Sequence, residues 1–338
     1  MKAYAGIDLH SSNNYLGILD DHDKRLYGKR MPNELNQVLM ALEPFRDRLE
    51  GVVVESTYNW YWLVDGLMEH GYHLHLANPS AIKQYEGLKH TDDKWDSFWL
   101  AHMLRLNILP EGYIYPKAHR PVRDLLRRRL LFVQHRTAHI LSLQSMITRN
   151  LGFKMSGNAI KKLKEKDVEN LFDSPNLVLM AKNSLSAIDF LKQIIRGIEK
   201  EVISQVKLRK EFKMLLTIPG IGPILTLTIM LEVGTINRFE AVGDYSSYSR
   251  CVKSERLTNG KKKGENNKKN GNKYLAWAYV EAANFAIRHS VAAQRFYQRK
   301  KAQRNGIVAI KALSNKICRA SYYIMRDQVA FDEGMLFK

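Results

Sequence analysis

Apolar and polar positions switch over quickly in the first third of the chain and slowly after it. Ala3–Leu9 is a short apolar run, Ser11–Asn14 a polar turn, and Tyr15–Leu19 a second run. Asp20–Asp23 turns the chain again before Lys24–Met31. Runs joined by such short turns predict an antiparallel meander of three strands. Asn33–Leu49 then carries Leu35, Val38, Leu39, Leu42 and Phe45, the stripe of a helix. Gly51–Glu55 (GVVVE) is continuously apolar up to its acid, as a central strand buried on both faces must be. Trp60–His70 reads as a helix and Tyr72–Ala77 as a strand that stops at Asn78-Pro79.

Beyond Leu106–Pro116, a connector holding Pro110 and Pro116, the helical period takes over. From Val122 it runs through Leu125, Leu126, Leu130, Val133, Ile140, Leu143 and Ile147. Arg123, Arg127, Arg128, Arg129 and Arg149 stand between them, facing either phosphates or solvent. After a break at Asp173-Ser174-Pro175, Asn183–Val206 repeats the pattern. Two long helices predict an antiparallel hairpin or coiled coil that protrudes and dimerises, or else a plain helical core. In Leu216–Ile224 (LTIPGIGPI), Gly220 and Gly222 sit between helices. They form either a helix-hairpin-helix turn whose N–H groups hold a phosphate, or a structural turn. An apolar helix follows at Leu225–Val233. Tyr245–Lys273 is poor in apolar residues and carries Lys261, Lys262, Lys263, Lys268, Lys269 and Lys273. It reads as mobile until it meets nucleic acid, or as a plain linker. Tyr274–His289 and Lys311–Arg326 return to helix.

The 338 residues suffice for two or three domains, and their formal charge of +19 points to a polyanionic partner, nucleic acid before acidic membrane. No apolar run reaches the length of a membrane span, and MKAYAGID enters a strand directly, so neither membrane insertion nor a signal peptide is expected. Cys251 and Cys318 make neither a metal cluster nor a disulfide framework, which fits a reducing cytoplasm.

Three hairpin strands followed by alternating helix and strand is the order of the RNase H-like fold. That fold carries acids on its first strand, at the end of its fourth, and on a later helix. Asp8, Glu55, Asp93 and Asp96 fall in those places. In Gly87–Leu100 (GLKHTDDKWDSFWL) the three-residue spacing of Asp93 and Asp96 sets both on one helix face, with Trp95, Trp99 and Leu100 available to pack inward. Four convergent carboxylates need a divalent cation, and oxygen ligands suit Mg²⁺ or Mn²⁺. Two such ions suit phosphodiester cleavage. GIDLH also resembles the first phosphate strand of the actin-like ATPases, but no glycine-rich phosphate loop follows before residue 150.

GIDLH, VVVEST, NPS, HTDDKWDSFWLA, RPVRDLLRRR, IPGIGP, NGKKKG and NGNKYLAWAYVEAA occur in the order found in one family. The chain resembles the DEDD transposases of bacterial insertion sequences, the family guided by a bridge RNA. The resemblance implies that Asp8, Glu55, Asp93 and Asp96 are the metal-binding acids, with Asp92 as second choice. It implies a C-terminal nucleophilic serine that attacks a DNA phosphate and leaves a covalent protein–DNA link. That position falls on Thr258 here, a departure, since a methyl crowds the hydroxyl; Ser254 is the alternative. It also implies donor and target DNA, an element-encoded guide RNA, and a homo-oligomer, dimer or tetramer, in the bacterial cytoplasm and near the nucleoid. The expected layout is an RNase H-like (RuvC-like) α/β domain over 1–115, a helical hairpin over 116–212 and a mainly helical transposase domain over 213–338. Two other functions remain open: a metal-dependent nuclease or junction resolvase without a covalent step, and a binding protein without catalysis.

Overall fold

The computed structural model describes residues 1–82, 92–206, 210–264 and 270–337. Gly87–Thr91, Lys268 and Lys269 lie outside the described residues. The chain divides into two compact units, Met1–Lys117 and Ala118–Lys338.

In the first unit the meander forms β1 (Ala3–Leu9), β2 (Asn13–Asp20) and β3 (Arg25–Pro32). α1 (Leu35–Leu42) and a 3-10 turn lead to β4 (Leu49–Glu55). α2 (Tyr61–Glu69), β5 (Leu74–Ala77) and α3 (Asp93–Arg105) follow. The sheet order is β3-β2-β1-β4-β5, antiparallel through the meander and parallel from β1 to β4 to β5. This is the mixed sheet expected of an RNase H-like domain.

Alternation assigns the faces. Ala5, Ile7, Leu9, Val52 and Val54 enter one core with Val38, Leu63 and Leu67 of α1 and α2. Gly6 and Val53 point the other way, toward α3. Gly6, Gly17 and Gly28 lie in register across three strands. A Cβ on Gly6 would stand 2.0 Å from the Ser97 carbonyl oxygen, and one on Gly17 2.9 Å from Phe98. The three glycines therefore make a trough in which α3 lies against the sheet. Leu100 is buried as expected, but Trp95 and Trp99 are only half-buried. They stack on each other at 5.2 Å, and Trp99 also packs against the Val53, Leu100 and Met103 cluster, while the trough itself faces Ser97, Phe98 and Ala101.

The second unit opens with α4 (Arg120–Leu151). Short α5 (Gly157–Ile160) and α6 (Glu165–Leu171) cap its far end, and α7 (Pro175–Val206) returns. Pro175 starts α7 well before Asn183, because proline at a first helical position costs no hydrogen bond. Ile140, Leu143 and Ile147 pack with Ala181, Leu185 and Ile188, making an antiparallel hairpin. Next come α8 (Lys210–Leu215), α9 (Pro223–Val233) and α10 (Val242–Tyr248). β6 (Arg256–Thr258) and β7 (Lys261–Gly264) form an antiparallel pair. α11 (Lys273–His289), α12 (Val291–Gln303), α13 (Gly306–Asp327) and α14 (Glu333–Leu336) complete the unit. Its core joins α8–α11 and α13 and takes in Leu126 and Val202 from the base of the hairpin.

Within Tyr245–Lys273, expected as a mobile segment or a plain linker, the described residues include regular elements. Tyr245–Tyr248 is helical and residues 256–264 form a hairpin. Its turn residues Asn259 and Gly260 have φ of 48° and 71°, the type I′ geometry whose twist matches two antiparallel strands. Among the described residues, no helix is long and apolar enough to cross a membrane.

Candidate active site

Asp8 ends the run Gly6–Asp8 on the α3 face of β1, and Glu55 ends Val53–Glu55 on the same face of β4. Ile7 pairs with Val54 in parallel register, so both acids reach the same end of the sheet. The first turn of α3 brings Asp93 and Asp96. Asp92 serves another purpose: its Oδ1 accepts the Trp95 N–H at 2.7 Å, capping α3 and fixing where that turn begins.

His10 Nε2 stands 3.0 Å from Asp8 Oδ2 and 3.2 Å from Asp93 Oδ1, bridging the two carboxylates. Arg30 Nη2 lies 2.6 Å from Asp93 Oδ2. The cross-strand row Asp8–Tyr15–Arg30 explains how a residue two strands away arrives there. Asp8 is 4% exposed. Burial pushes its carboxyl up, Asp93 adds to that, and His10 opposes it. Burial, then Asp8 and Asp96, push Glu55 up to about 7. Glu55 also shares a side-chain hydrogen bond with Asp8, the protonated Glu55 donating. Burial acts against the charges of Asp93 and His10 as well, but it is outweighed. His10 and Arg30 hold Asp93 low, and Asp8 and Asp93 hold His10 high. All four acids therefore belong to one electrostatic cluster.

Ligand atoms of Asp8, His10 and Asp93 all lie within 4.8 Å of one another. A carboxylate pair, Asp8 buried and Glu55 half-buried, that keeps a proton near neutrality is short of positive charge. Hard oxygen donors with one imidazole fit a divalent cation of the Mg²⁺ or Mn²⁺ kind.

In the second unit Thr258 pairs with Lys261 beside the Asn259-Gly260 turn and is exposed. Ser254 is half-buried ahead of the hairpin. Lys261, Lys262 and Lys263 line β7 and are exposed, and Lys273 opens α11. The two motif glycines differ. Gly220 has φ of +90°, and a Cβ there would stand 2.3 Å from the Ala282 carbonyl oxygen, so it lets the turn sit on α11. Gly222 caps α9 with open space around it.

The arginine stripe of α4 proves largely internal. Arg123 and Arg127 bond Glu232, which is 2% exposed on α9, and Arg129 pairs with Glu199 of α7. Sequence reasoning missed His10, Arg30, Glu232 and the hairpin turn. His10 had a signal, standing two residues after Asp8 just past the end of β1, and so did the turn, because Asn-Gly is its preferred dipeptide.

Residues 5–150 match the model of a DEDD transposase family of the IS110 type. Residues 212–298 match the transposase IS116/IS110/IS902 family. No curated protein matches the chain.

Proposed function

The chain belongs to the IS110-type DEDD transposases, DNA-recombining enzymes of insertion sequences, and from that premise we propose an RNA-guided recombinase with a split active site. Asp8, Glu55, Asp93 and Asp96 would hold Mg²⁺ or Mn²⁺, with His10 beside them. The observation that carries this reading is the clustering of these acids, with Glu55 held up to about 7. The bound cation supplies charge neutralisation and activation of oxygen.

Thr258 is the nucleophile, and its exposed place beside a tight turn supports that role. Its hydroxyl gives up a proton, Oγ1 bonds to a DNA phosphorus, and a sugar oxygen leaves with the electron pair and takes a proton. The reverse attack by another strand's sugar hydroxyl rejoins DNA and frees Thr258, so phosphodiester energy is conserved. Lys261, Lys262, Lys263, Lys268, Lys269 and Lys273 hold backbone phosphates, as does the open turn at Gly222. Gly220 seats that turn against α11. Pairing with the guide RNA reads sequence while the protein holds backbone.

The acids lie in the first unit and Thr258 in the second, so the reaction requires the two to converge, in one chain or between copies. Assembly as a dimer or tetramer uses the helical hairpin, whose Leu141 and Phe190 are exposed. The test is a two-plasmid recombination assay with the element's flanking DNA. Asp8→Asn and Thr258→Ala each abolish junction formation, whereas Thr258→Ser retains it. Unchanged junctions with Thr258→Ala and their loss with Ser254→Ala would move the nucleophile to Ser254.

A further inference from the structure

In the second unit a groove of about 460 Å³ opens between α4 and the start of α11. Asp124, Arg128, Gln134, Lys273, Tyr274 and Trp277 are among the residues that line it. Its wall is built from the interior outward. Glu232 accepts from Arg127 Nε at 2.6 Å and Nη2 at 2.8 Å, from Arg123 Nε at 3.2 Å, and from Asn272 Nδ2 at 2.7 Å. Asn272 Oδ1 in turn accepts from the N–H groups of Tyr274 and Leu275, capping α11. The Arg127 guanidinium stands 4.4 Å from the Tyr274 ring centre. Backbone and ring of Tyr274 are thus both fixed before any ligand arrives.

The charge of Arg127 is satisfied by Glu232, which leaves exposed Arg128 and Lys273 as the cations at the rim. Tyr274 and Trp277 are half-buried and three residues apart, so they share a helix face. Fixed aromatic rings beside exposed cations, in an open groove, suit a base that stacks and a phosphate that pairs. An apolar helix or a lipid tail would leave both rim cations without use.

We propose that this groove binds an unpaired nucleotide, its base against Tyr274 and Trp277 and its phosphate on Arg128 and Lys273. The proposal rests on the reading above only in taking nucleic acid as the partner. The nucleotide comes from RNA or from a melted DNA strand; the chemistry is shared.

The test measures binding of labelled oligo(dT), oligo(U) and an abasic strand of equal length to the full chain. Trp277→Ala weakens binding of the base-bearing strands about tenfold and leaves the abasic strand unchanged, while Trp277→Phe binds nearly as the native chain. Arg128→Ala weakens all three and lowers the salt slope by about 0.7. The tighter of oligo(dT) and oligo(U) identifies the source of the nucleotide. Native-like binding by folded Trp277→Ala, or equal loss on the abasic strand, overturns the proposal. Covalent capture of DNA at Thr258 is scored separately. Its absence with groove binding intact would count against the functional reading alone.

Discussion

Glu55 gives the most direct consequence at the scale of single residues. Folding raises its carboxyl to about 7, so between the ordinary glutamate range and that value the native state holds a proton that the unfolded chain has released. Stability from this group is complete below that window and is lost as pH rises through it. Metal-free protein is therefore expected to lose melting temperature from pH 5 to pH 8. Added Mg²⁺ or Mn²⁺ should restore it more at pH 8 than at pH 6, because the proton competes with the cation. Calorimetry at both pH values checks this; a cation effect that is equal at both would contradict it. Asp8→Asn removes a buried like charge next to Glu55. It should stabilise the metal-free protein by about 1 kcal/mol while abolishing recombination, a trade between stability and function. The four acids were legible in the sequence because strand alternation and helix spacing expose them. His10 stood two residues from Asp8 and was legible in principle. Arg30 was not, since it reaches Asp93 only through the register of three strands.

At the scale of elements, the glycine trough decides where α3 lies and hence where Asp93 and Asp96 arrive. Gly6→Ala drives a Cβ into the Ser97 carbonyl and should cost about 3 kcal/mol or more, read by urea denaturation. Gly220→Ala should be comparably severe, with its left-handed backbone and its contact on α11. Gly222→Ala meets open space, so it should fold normally, and any loss of DNA affinity there reports phosphate contact directly. The strands were legible as short apolar runs bounded by polar turns, and α1–α3 and both long helices from their residue spacing. α12 was not, since Val291–Gln303 is too polar to show a stripe. The hairpin was hidden for another reason: its strands are short and lysine-rich, and only Asn259-Gly260 marks it.

Across the whole molecule, a positive charge of +19 pointed to a polyanionic partner, nucleic acid before acidic membrane, but not to which cations meet it. Arg123 and Arg127 looked like surface residues until Glu232, more than a hundred positions away, folded against them. Breaking that hub with Glu232→Gln leaves the buried Arg123 and the half-buried Arg127 short of negative charge and should destabilise the chain by about 3 kcal/mol. The guided reading has its own outcome. Protein expressed with the flanking DNA of its element and purified at moderate salt should carry one discrete RNA that maps beside the gene. A smear of host RNA would leave the basic surfaces as non-specific binders.

In the proposed reaction the acid cluster and Thr258 act on the same phosphate. Its most direct measurement incubates the protein with DNA bearing the element's ends and a divalent cation, denatures the mixture, and maps any protein–DNA adduct by mass spectrometry. The expected product is a phosphothreonine at Thr258 that disappears with chelator or with Asp8→Asn. Cleaved DNA with free ends and no adduct at any hydroxyl would contradict it and make the protein a metal-dependent nuclease.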